Sequence, residues 1–341
     1  MIDLLANRIK WLATSHRQGS EPNIFIFATP RSGSTWLAEL LATQGRFKIV
    51  NEPLNLRKAV VRDNLKINKW DDLFQPECRP LIGSYIQSFI DGADSDPRFH
   101  REKPFTQFWH LRTNRIIFKM LFGGEDDIHW YRSEFRGCIV HLLRHPIAVA
   151  QSREKLPRLD SYLTRPYSDN FSSEQLRQAR EIVNTGDSFL MRIVDWCLQN
   201  SVLLRHANEE TVVLAYEQLV LQPEQVTARL AVKLSLPDPE RMLQRVYRAS
   251  RSTSKSNLNS QSVLRDDTEI RRQRLWLVDK WRDQVSADQE RLAFEILSTF
   301  GINVYTTGQS LPTADYLLNP PAATQLVTPP PAQLTSIEPG A

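Results

Sequence analysis

The chain has 341 residues, of which 41% are hydrophobic, 24% charged and 9% aromatic, as in an ordinary soluble globular protein with a sizeable core. The formal net charge of +4 is mild, so it suits an anionic ligand without requiring nucleic acid. The sequence contains no run of Lys and Arg interleaved with aromatic residues of the kind that lines a nucleic-acid groove.

Residues 1–20 predict a helical N-terminal extension. Their apolar positions are interrupted by basic residues, so they predict neither a signal peptide nor a membrane span. No other stretch reaches the roughly 18 apolar residues that spanning requires, and we expect a cytoplasmic protein. The three cysteines are far apart, lack metal-ligand spacing and are expected to be reduced and structural: Cys78, Cys138 and Cys197.

Five short apolar runs predict buried strands: residues 23–28, 46–50, 115–121, 137–143 and 211–216. Helical patterns lie between them, notably around residues 174–184, 188–207 and 224–234. Strands that alternate with helices predict a single α/β domain with a central, mostly parallel sheet flanked by helices. We assign this domain to residues 21–308. Residues 309–341 are rich in proline and contain no Lys or Arg, which predicts a disordered tail.

The first predicted strand leads into a loop that resembles a phosphate-binding P-loop without its lysine. The P-loop pattern G-x-x-x-x-G-K-[ST] aligns with A-T-P-R-S-G-S-T, so Ala28 replaces the first glycine and Ser34 replaces the lysine. Unpaired backbone N–H groups at the start of the following helix would still bind an anion, and Arg31 would supply the missing charge. The sequence therefore predicts a phosphate or sulfate site that needs no lysine–magnesium pair.

The stretch PRSGSTW is similar to the 5′-phosphosulfate loop of sulfotransferases that use 3′-phosphoadenosine 5′-phosphosulfate (PAPS). That loop reads P-[KR]-S-G-[ST]-[ST]-x, often with Trp last, and the matching positions are Pro30, Arg31, Ser32, Gly33, Ser34, Thr35 and Trp36. The resemblance implies a P-loop NTPase-like sulfotransferase fold, with Arg31 to Trp36 binding the cofactor. The alternative for these residues is a helix capped by Ser and Thr, with Arg31 solvated at the surface.

A second stretch, HLLRHPIAVAQS, resembles the 3′-phosphate motif of the same family. Arg144 ends a predicted strand, Pro146 opens a helix, and Ser152 lies eight residues after the arginine. A forked guanidinium at a strand end suits a dianionic phosphate, and a serine two turns into the helix adds a hydroxyl donor. The alternative is that Arg144 forms an ion pair and that Ser152 is a helix-surface residue.

A third stretch, beginning TVVLAYEQL, resembles the family's strand–YEDL–helix element. Tyr216 matches the tyrosine that approaches the adenine base in cytosolic members, and Gln218 departs from the usual Asp. Tyr216 could equally be a core aromatic residue with its hydroxyl at the surface.

The resemblance also guides the choice of a general base. Cytosolic phenol and steroid sulfotransferases use a His after a central strand, whereas carbohydrate-type and bacterial members often carry Glu-Pro after the second strand. Glu52 and Pro53 occupy that place here, so Glu52 is our candidate base and Arg31 our candidate for stabilising the sulfuryl oxygens. Helix capping or pairing with Arg57 is the structural alternative for Glu52. Lys119 is a lesser catalytic candidate.

The resemblance fails in the C-terminal third. Cytosolic members carry an Arg-Lys-Gly segment that closes over the cofactor, whereas IRRQRLWLVDKWR has no glycine. It offers Arg271, Arg272, Arg274 and Trp281. Acidic residues lie close by, and we favour a solvated basic helix face.

The resulting hypothesis is a PAPS-dependent sulfotransferase, closer to carbohydrate-type and bacterial members than to cytosolic ones. It would transfer a sulfuryl group to a hydroxyl or amine of a carbohydrate or glycolipid acceptor, giving PAP (adenosine 3′,5′-bisphosphate), without a metal, and contact with a lipid-borne acceptor stays open. Residues 53–112 and 153–187 are the expected acceptor segments. The alternatives are a P-loop kinase or NTPase, against which the missing lysine argues, and a non-catalytic PAP-binding protein.

Overall fold

The computed structural model describes residues 15–92, 110–246 and 267–318, except for the side chains of residues 267–271 and 273. Within these ranges the strands are β1 Ser15–His16, β2 Ile24–Ala28, β3 Phe47–Asn51, β4 Arg112–Thr113, β5 Arg115–Met120, β6 Cys138–Leu143 and β7 Val212–Ala215. The helices are α1 Ser34–Ala42, α2 Ala59–Leu65, α3 Arg79–Ile90, α4 Ile128–Phe135, α5 Pro146–Ser152, α6 Leu159–Tyr162, α7 Ser173–Thr185, α8 Ser188–His206, α9 Tyr216–Leu221, α10 Pro223–Lys233, α11 Pro239–Val246, α12 Asp267–Asp279 and α13 Ala287–Thr299. Short 3-10 helices cover Asp71–Phe74, Pro76–Cys78, Tyr167–Asn170, Arg282–Gln284 and Ala314–Tyr316.

Five of these strands form one parallel sheet in the order β3-β5-β2-β6-β7. The two remaining short strands, β1 and β4, pair separately. The predicted α/β domain with a central parallel sheet is confirmed, and each of the five predicted strands is present. Because all five run in the same direction, their carboxyl ends meet at one edge, where open α/β sheets bind ligands.

The central strand β2 is buried on both faces, as its continuous apolar sequence predicts. Ile24, Ile26 and Ala28 point to the face covered by α1, α10 and α11. Phe25 and Phe27 point to the opposite face, where α3 and α4 pack. This alternation follows from the two-residue period of a strand, and it anchors the start of the following loop between two packed cores.

The described ends of the domain lie against its body. Of the predicted N-terminal extension, only residues 15–20 are described, and β1 within them pairs with β4. Residues 309–318 begin the proline-rich segment. In them, the backbone N–H of Thr313 donates to the Val304 carbonyl at 2.7 Å and that of Leu318 donates to Gln218 Oε1 at 2.9 Å. The predictions for residues 1–14 and 319–341 fall outside the described residues. Among the helices in the described ranges, none has the length and apolarity needed to cross a bilayer.

Candidate functional site

The loop after β2 adopts a backbone that most residues avoid. Arg31 has φ = 79° and Gly33 has φ = 89°, both in the left-handed region. A Cβ atom on Gly33 would lie 2.7 Å from Tyr216 Cδ2, so both the dihedral angle and the available space require glycine. Helix α1 begins at Ser34 without a side-chain cap, which leaves its first N–H groups available to a ligand.

The loop also contains a buried hydroxyl group without a hydrogen-bond partner among the described residues. The side chain of Ser32 is buried, and its Oγ has no hydrogen-bond partner among the described residues. The backbone of Ser32 is already held, because its N–H donates to the Thr29 carbonyl at 3.1 Å. An unpaired buried hydroxyl beside an uncapped helix start is a donor set that fits an oxyanion.

Arg144 is held directly against this loop. Its Nη1 donates to the Arg31 carbonyl at 2.8 Å, and its guanidinium carbon lies 4.5 Å from the centroid of the Tyr216 ring. Tyr216 in turn meets Trp36 edge to face, with ring centroids 5.6 Å apart. The structure therefore brings together four residues that sequence reasoning took from three separate motifs.

The alternative of an ion pair for Arg144 is not seen among the described residues. Arg144 Nε is buried and has no hydrogen-bond partner there either, so part of the guanidinium is unsatisfied. A cation that is fixed in place and has no carboxylate within ion-pair distance among the described residues is suited to an anion supplied from outside the protein.

Lys280 is a member of this group that sequence reasoning missed. It follows α12, and its ammonium lies 5.1 Å from the Trp276 ring centroid. Burial, together with the charges of Arg144 and Arg31, lowers the pKa of Lys280. Lys280 is therefore close enough to Arg144 and Arg31 to feel their charges, and none of the three forms an ion pair within the described part of the chain. The only feature of the sequence that points to Lys280 is its place in the basic C-terminal stretch IRRQRLWLVDKWR.

Of the arginines predicted in that stretch, Arg272 is exposed, Arg274 is half-buried, and the side chain of Arg271 is outside the described residues. Trp281 is buried instead, stacked on the His145 ring with centroids 4.2 Å apart. Burial and the charge of Arg282 lower the pKa of His145 to about 3, so this ring is neutral at pH 7 and adds no positive charge to the site.

Glu217, next to Tyr216, holds the backbone that follows Arg144. Its carboxylate is fully buried and accepts hydrogen bonds from the His145 backbone N–H at 2.9 Å and from the Tyr305 hydroxyl at 3.0 Å. Burial raises the pKa of this carboxyl group despite those bonds. The bond to His145 fixes the backbone immediately after Arg144, so Glu217 positions that arginine.

The hydroxyl of Ser152, another predicted cofactor residue, is engaged within its own helix. Ser152 ends α5, and its Oγ donates to the carbonyl oxygens of Ala148 at 3.0 Å and Val149 at 3.2 Å. Such bonds within a helix are the usual resting state of a serine hydroxyl. It forms no hydrogen bond to Arg144 among the described residues, and its contact with a 3′-phosphate stays a prediction.

Glu52 lies beside the same edge of the sheet, one residue beyond β3. Its Oε1 is 3.4 Å from Lys119 Nζ, and its Oε2 accepts a hydrogen bond from Asn55 Nδ2 at 2.8 Å. Lys58 Nζ lies 3.9 Å from Oε2. The pairing with Arg57 that the sequence left open is replaced by these two lysines.

Lys119 connects this carboxylate to the start of α1, directly after the loop that follows β2. From the adjacent strand β5, its Nζ donates to Thr35 Oγ1 at 3.0 Å while it faces Glu52. Burial alone would raise the pKa of Glu52, but Lys119, Lys58 and Asn55 outweigh it and lower that pKa. Glu52 is therefore a carboxylate at neutral pH, which is the protonation state that a general base requires.

Metal ligands are not grouped in the part of the chain that the structure describes. No set of three or more His, Cys, Asp and Glu side chains there is arranged to hold a metal ion.

Comparison with solved structures finds sulfotransferases. The sulfotransferase domain of the Synechococcus PCC 7002 olefin synthase aligns with a TM-score of 0.44 and 21% identity, over 85% of this chain and 98% of that domain. The mouse sulfotransferase SULT7A1, complexed with PAP, aligns at 0.42 and 14% identity, over 87% and 91%. A sulfotransferase domain from the curacin biosynthetic pathway aligns at 0.41 and 16% identity, over 83% and 98%. No protein-family model and no curated protein matches the sequence.

Proposed function

We propose that this chain is a PAPS-dependent sulfotransferase that transfers a sulfuryl group to a hydroxyl of a carbohydrate or glycolipid acceptor. The observation that carries the proposal is the convergence of two groups at one edge of the sheet. One is the anion-binding group around Arg31 and Arg144, and the other is the ionised Glu52 with Lys119. Thr35 and Trp36, adjacent in the first turn of α1, link the two groups.

The residues present fit a nucleotide with phosphate groups at both ends. The uncapped start of α1, the Ser32 hydroxyl and Arg31 would hold the 5′-phosphosulfate end. Arg144 and Lys280 would hold the 3′-phosphate, which makes Lys280 our assignment for the C-terminal basic residue of this site. The contacting rings of Tyr216 and Trp36 offer apolar surface against which the adenine base could pack.

The proposed reaction needs a proton acceptor and a stabilised anion. As the acceptor oxygen forms its bond to sulfur, the bond from sulfur to the 5′-phosphate oxygen breaks and PAP leaves. Glu52 takes the proton of the acceptor hydroxyl, and Arg31 with Lys119 stabilises the negative charge that grows on the sulfuryl and bridging oxygens. Lys119 from β5 thereby adds a second positive charge to that of Arg31.

The direct test is a transfer assay with sulfur-labelled PAPS against a panel of glycans, glycolipids and phenols. Wild type should label at least one acceptor, whereas Glu52→Gln should lose at least about 100-fold in turnover while it still binds PAP, since a general base contributes about 10²- to 10⁴-fold. The kinase alternative is separated by a binding measurement with PAP and with ATP–magnesium. Tight binding of ATP–magnesium without binding of PAP would refute the proposal.

A further inference from the structure

Arg57 is an exposed cation whose position is fixed near the candidate base. Its guanidinium carbon lies 4.7 Å from the centroid of the Phe122 ring, and that ring is buried. Its Nε donates to Asn55 Oδ1 at 3.3 Å, and its backbone N–H donates to the same oxygen at 3.1 Å. Stacking and a hydrogen bond together orient the plane of the guanidinium, which is unusual for a surface arginine.

Within the described part of the chain, the terminal nitrogens of Arg57 make no contact with a polar partner. Neither Nη1 nor Nη2 has a hydrogen-bond or ion-pair partner among the described residues. The two other cations of this segment behave differently. Lys58 Nζ donates to the Asn51 carbonyl at 2.5 Å, and Arg62 Nη1 donates to the Leu56 carbonyl. The side chains of Lys58 and Arg62 therefore bind backbone carbonyls of their own segment, whereas Arg57 presents an oriented pair of N–H donors to solvent.

Asn55 places this pair of donors beside the reacting group. Its side chain is buried and bridges the two residues, because Nδ2 donates to Glu52 Oε2 at 2.8 Å while Oδ1 accepts from Arg57. The guanidinium is therefore one side chain away from the carboxylate. An acceptor whose hydroxyl reaches Glu52 would carry its neighbouring substituent towards Arg57.

We propose that Arg57 binds an anionic oxygen group, a carboxylate, phosphate or sulfate, that the acceptor carries close to the hydroxyl to be sulfated. This inference rests on the proposed function and narrows its acceptor to an acidic molecule. Two parallel N–H···O bonds from a guanidinium match the geometry of such groups, and stacking on Phe122 reduces the entropy that binding would otherwise cost.

The test uses the full chain saturated with PAP and four ligands that share one ring. Glucose, glucuronate, glucose 6-phosphate and glucose 6-sulfate differ only at the sixth carbon, and their dissociation constants can be measured by ligand-detected nuclear magnetic resonance. In wild type at least one anionic member should bind about tenfold or more tightly than glucose, as a charge-assisted bidentate contact predicts. The member that binds best tells carboxylate, phosphate and sulfate apart.

The variants are Arg57→Ala, Arg57→Lys and Arg229→Ala. Arg57→Ala should abolish the preference, and Arg57→Lys should retain part of it, because it keeps the charge but loses the planar fork. Arg229 is exposed on α10, so Arg229→Ala removes an equal charge and should change nothing. If no anionic member outbinds glucose in wild type, or if the preference survives in Arg57→Ala, the inference is wrong. If PAP itself does not bind, the proposed function fails instead.

Discussion

At the scale of single residues, the conformation of the loop after β2 depends on Gly33. This glycine combines a positive φ with direct contact against the Tyr216 ring. The positive φ alone would cost an L-residue about 1–2 kcal/mol, and a Cβ atom would also push Tyr216 away from Arg144. Strain and site geometry are therefore coupled at this position.

Gly33→Ala should weaken PAP binding by about tenfold or more, measured by isothermal titration calorimetry, because Tyr216 must move. The matched control is Gly186→Ala. Gly186 also has a positive φ, of 71°, but a Cβ there meets nothing within 4 Å. The control should lower stability by a similar strain and leave PAP affinity unchanged. Equal PAP affinity in Gly33→Ala and wild type would contradict the assigned site.

A second residue-scale prediction concerns the ionisation of Glu52. Lys119 favours the charged carboxylate, so Lys119→Met should raise the pKa of Glu52, and the midpoint of its protonation should move to higher pH. Carbon-13 nuclear magnetic resonance of the labelled carboxyl group measures this midpoint without any turnover. Lys233→Met, at the exposed end of α10, is the control and should leave it in place. A midpoint that stays or falls in Lys119→Met would disprove the pairing.

The site residues that could be predicted from the sequence are those that belong to a local motif. PRSGSTW and the Arg144 motif carry their spacing along the chain, and Glu52 follows a recognisable strand. The contacts of Lys119 could not be read in this way, because its partners Thr35 and Glu52 approach it from other elements. The sequence indicates Arg57 only as a possible partner of Glu52. Its contact with the Phe122 ring could not be predicted, because it joins segments 65 residues apart.

At the scale of elements, the junction of β7 and α9 organises the Arg144 side of the site. The strand ends at Ala215, Tyr216 faces the anion-binding loop, and Glu217 turns inward to the His145 backbone. The start of α9 thus supplies Tyr216 to the candidate site and Glu217 to the hydrogen bond that holds the backbone after Arg144. The sequence marked Tyr216 through a motif, but the hydrogen bond from Tyr305 to Glu217 spans 88 residues and left no local pattern.

Glu217→Ala should lower the free energy of unfolding by about 2–4 kcal/mol, because it leaves the His145 N–H and the Tyr305 hydroxyl buried without an acceptor. Urea unfolding monitored by circular dichroism measures this loss. Glu217→Gln keeps one acceptor oxygen and should lose less than half as much. Since the bond to His145 positions Arg144, PAP affinity should fall in Glu217→Ala and recover in Glu217→Gln. A loss of stability with unchanged PAP affinity would limit Glu217 to a purely structural role.

At the scale of the whole molecule, the strand order decides which motifs meet. The order β3-β5-β2-β6-β7 places the anion-binding loop on the central strand, Glu52 and Lys119 to one side, and Arg144 and Tyr216 to the other. The five strands were predictable because each is a short apolar run between helices. Their order was not, because it is set by packing between distant segments, such as Asn51 opposite Lys119.

Two buried histidines, His141 and His145, and the half-buried His16 have lowered pKa values, which makes their contribution to stability depend on pH. Burial lowers the pKa of His16 to about 4, of His141 to about 4 and of His145 to about 3. Between these values and the ordinary pKa of 6.5, the unfolded chain binds more protons at these histidines than the folded chain does, so their contribution to stability falls as the pH falls.

Each fully buried histidine should therefore contribute a decrease in the free energy of unfolding of about 1.4 kcal/mol per pH unit below pH 6.5, against an opposite contribution from Asp126, whose pKa burial raises to about 7. His145→Phe, which keeps a ring against Trp281, should reduce this slope. Urea unfolding at a series of pH values from 7 to 5 measures it. A slope that is the same in His145→Phe and in wild type would show that His145 does not contribute.

The central claim is that one nucleotide spans the loop after β2 and the Arg144 side of the sheet edge. A crystal structure of the chain with PAP tests it most directly. The 5′-phosphate should lie against the backbone N–H groups of residues 33–36, and the 3′-phosphate should lie within hydrogen-bond distance of the Arg144 guanidinium. PAP bound away from both segments, or contacting the loop while Arg144 keeps only the Arg31 carbonyl, would contradict it.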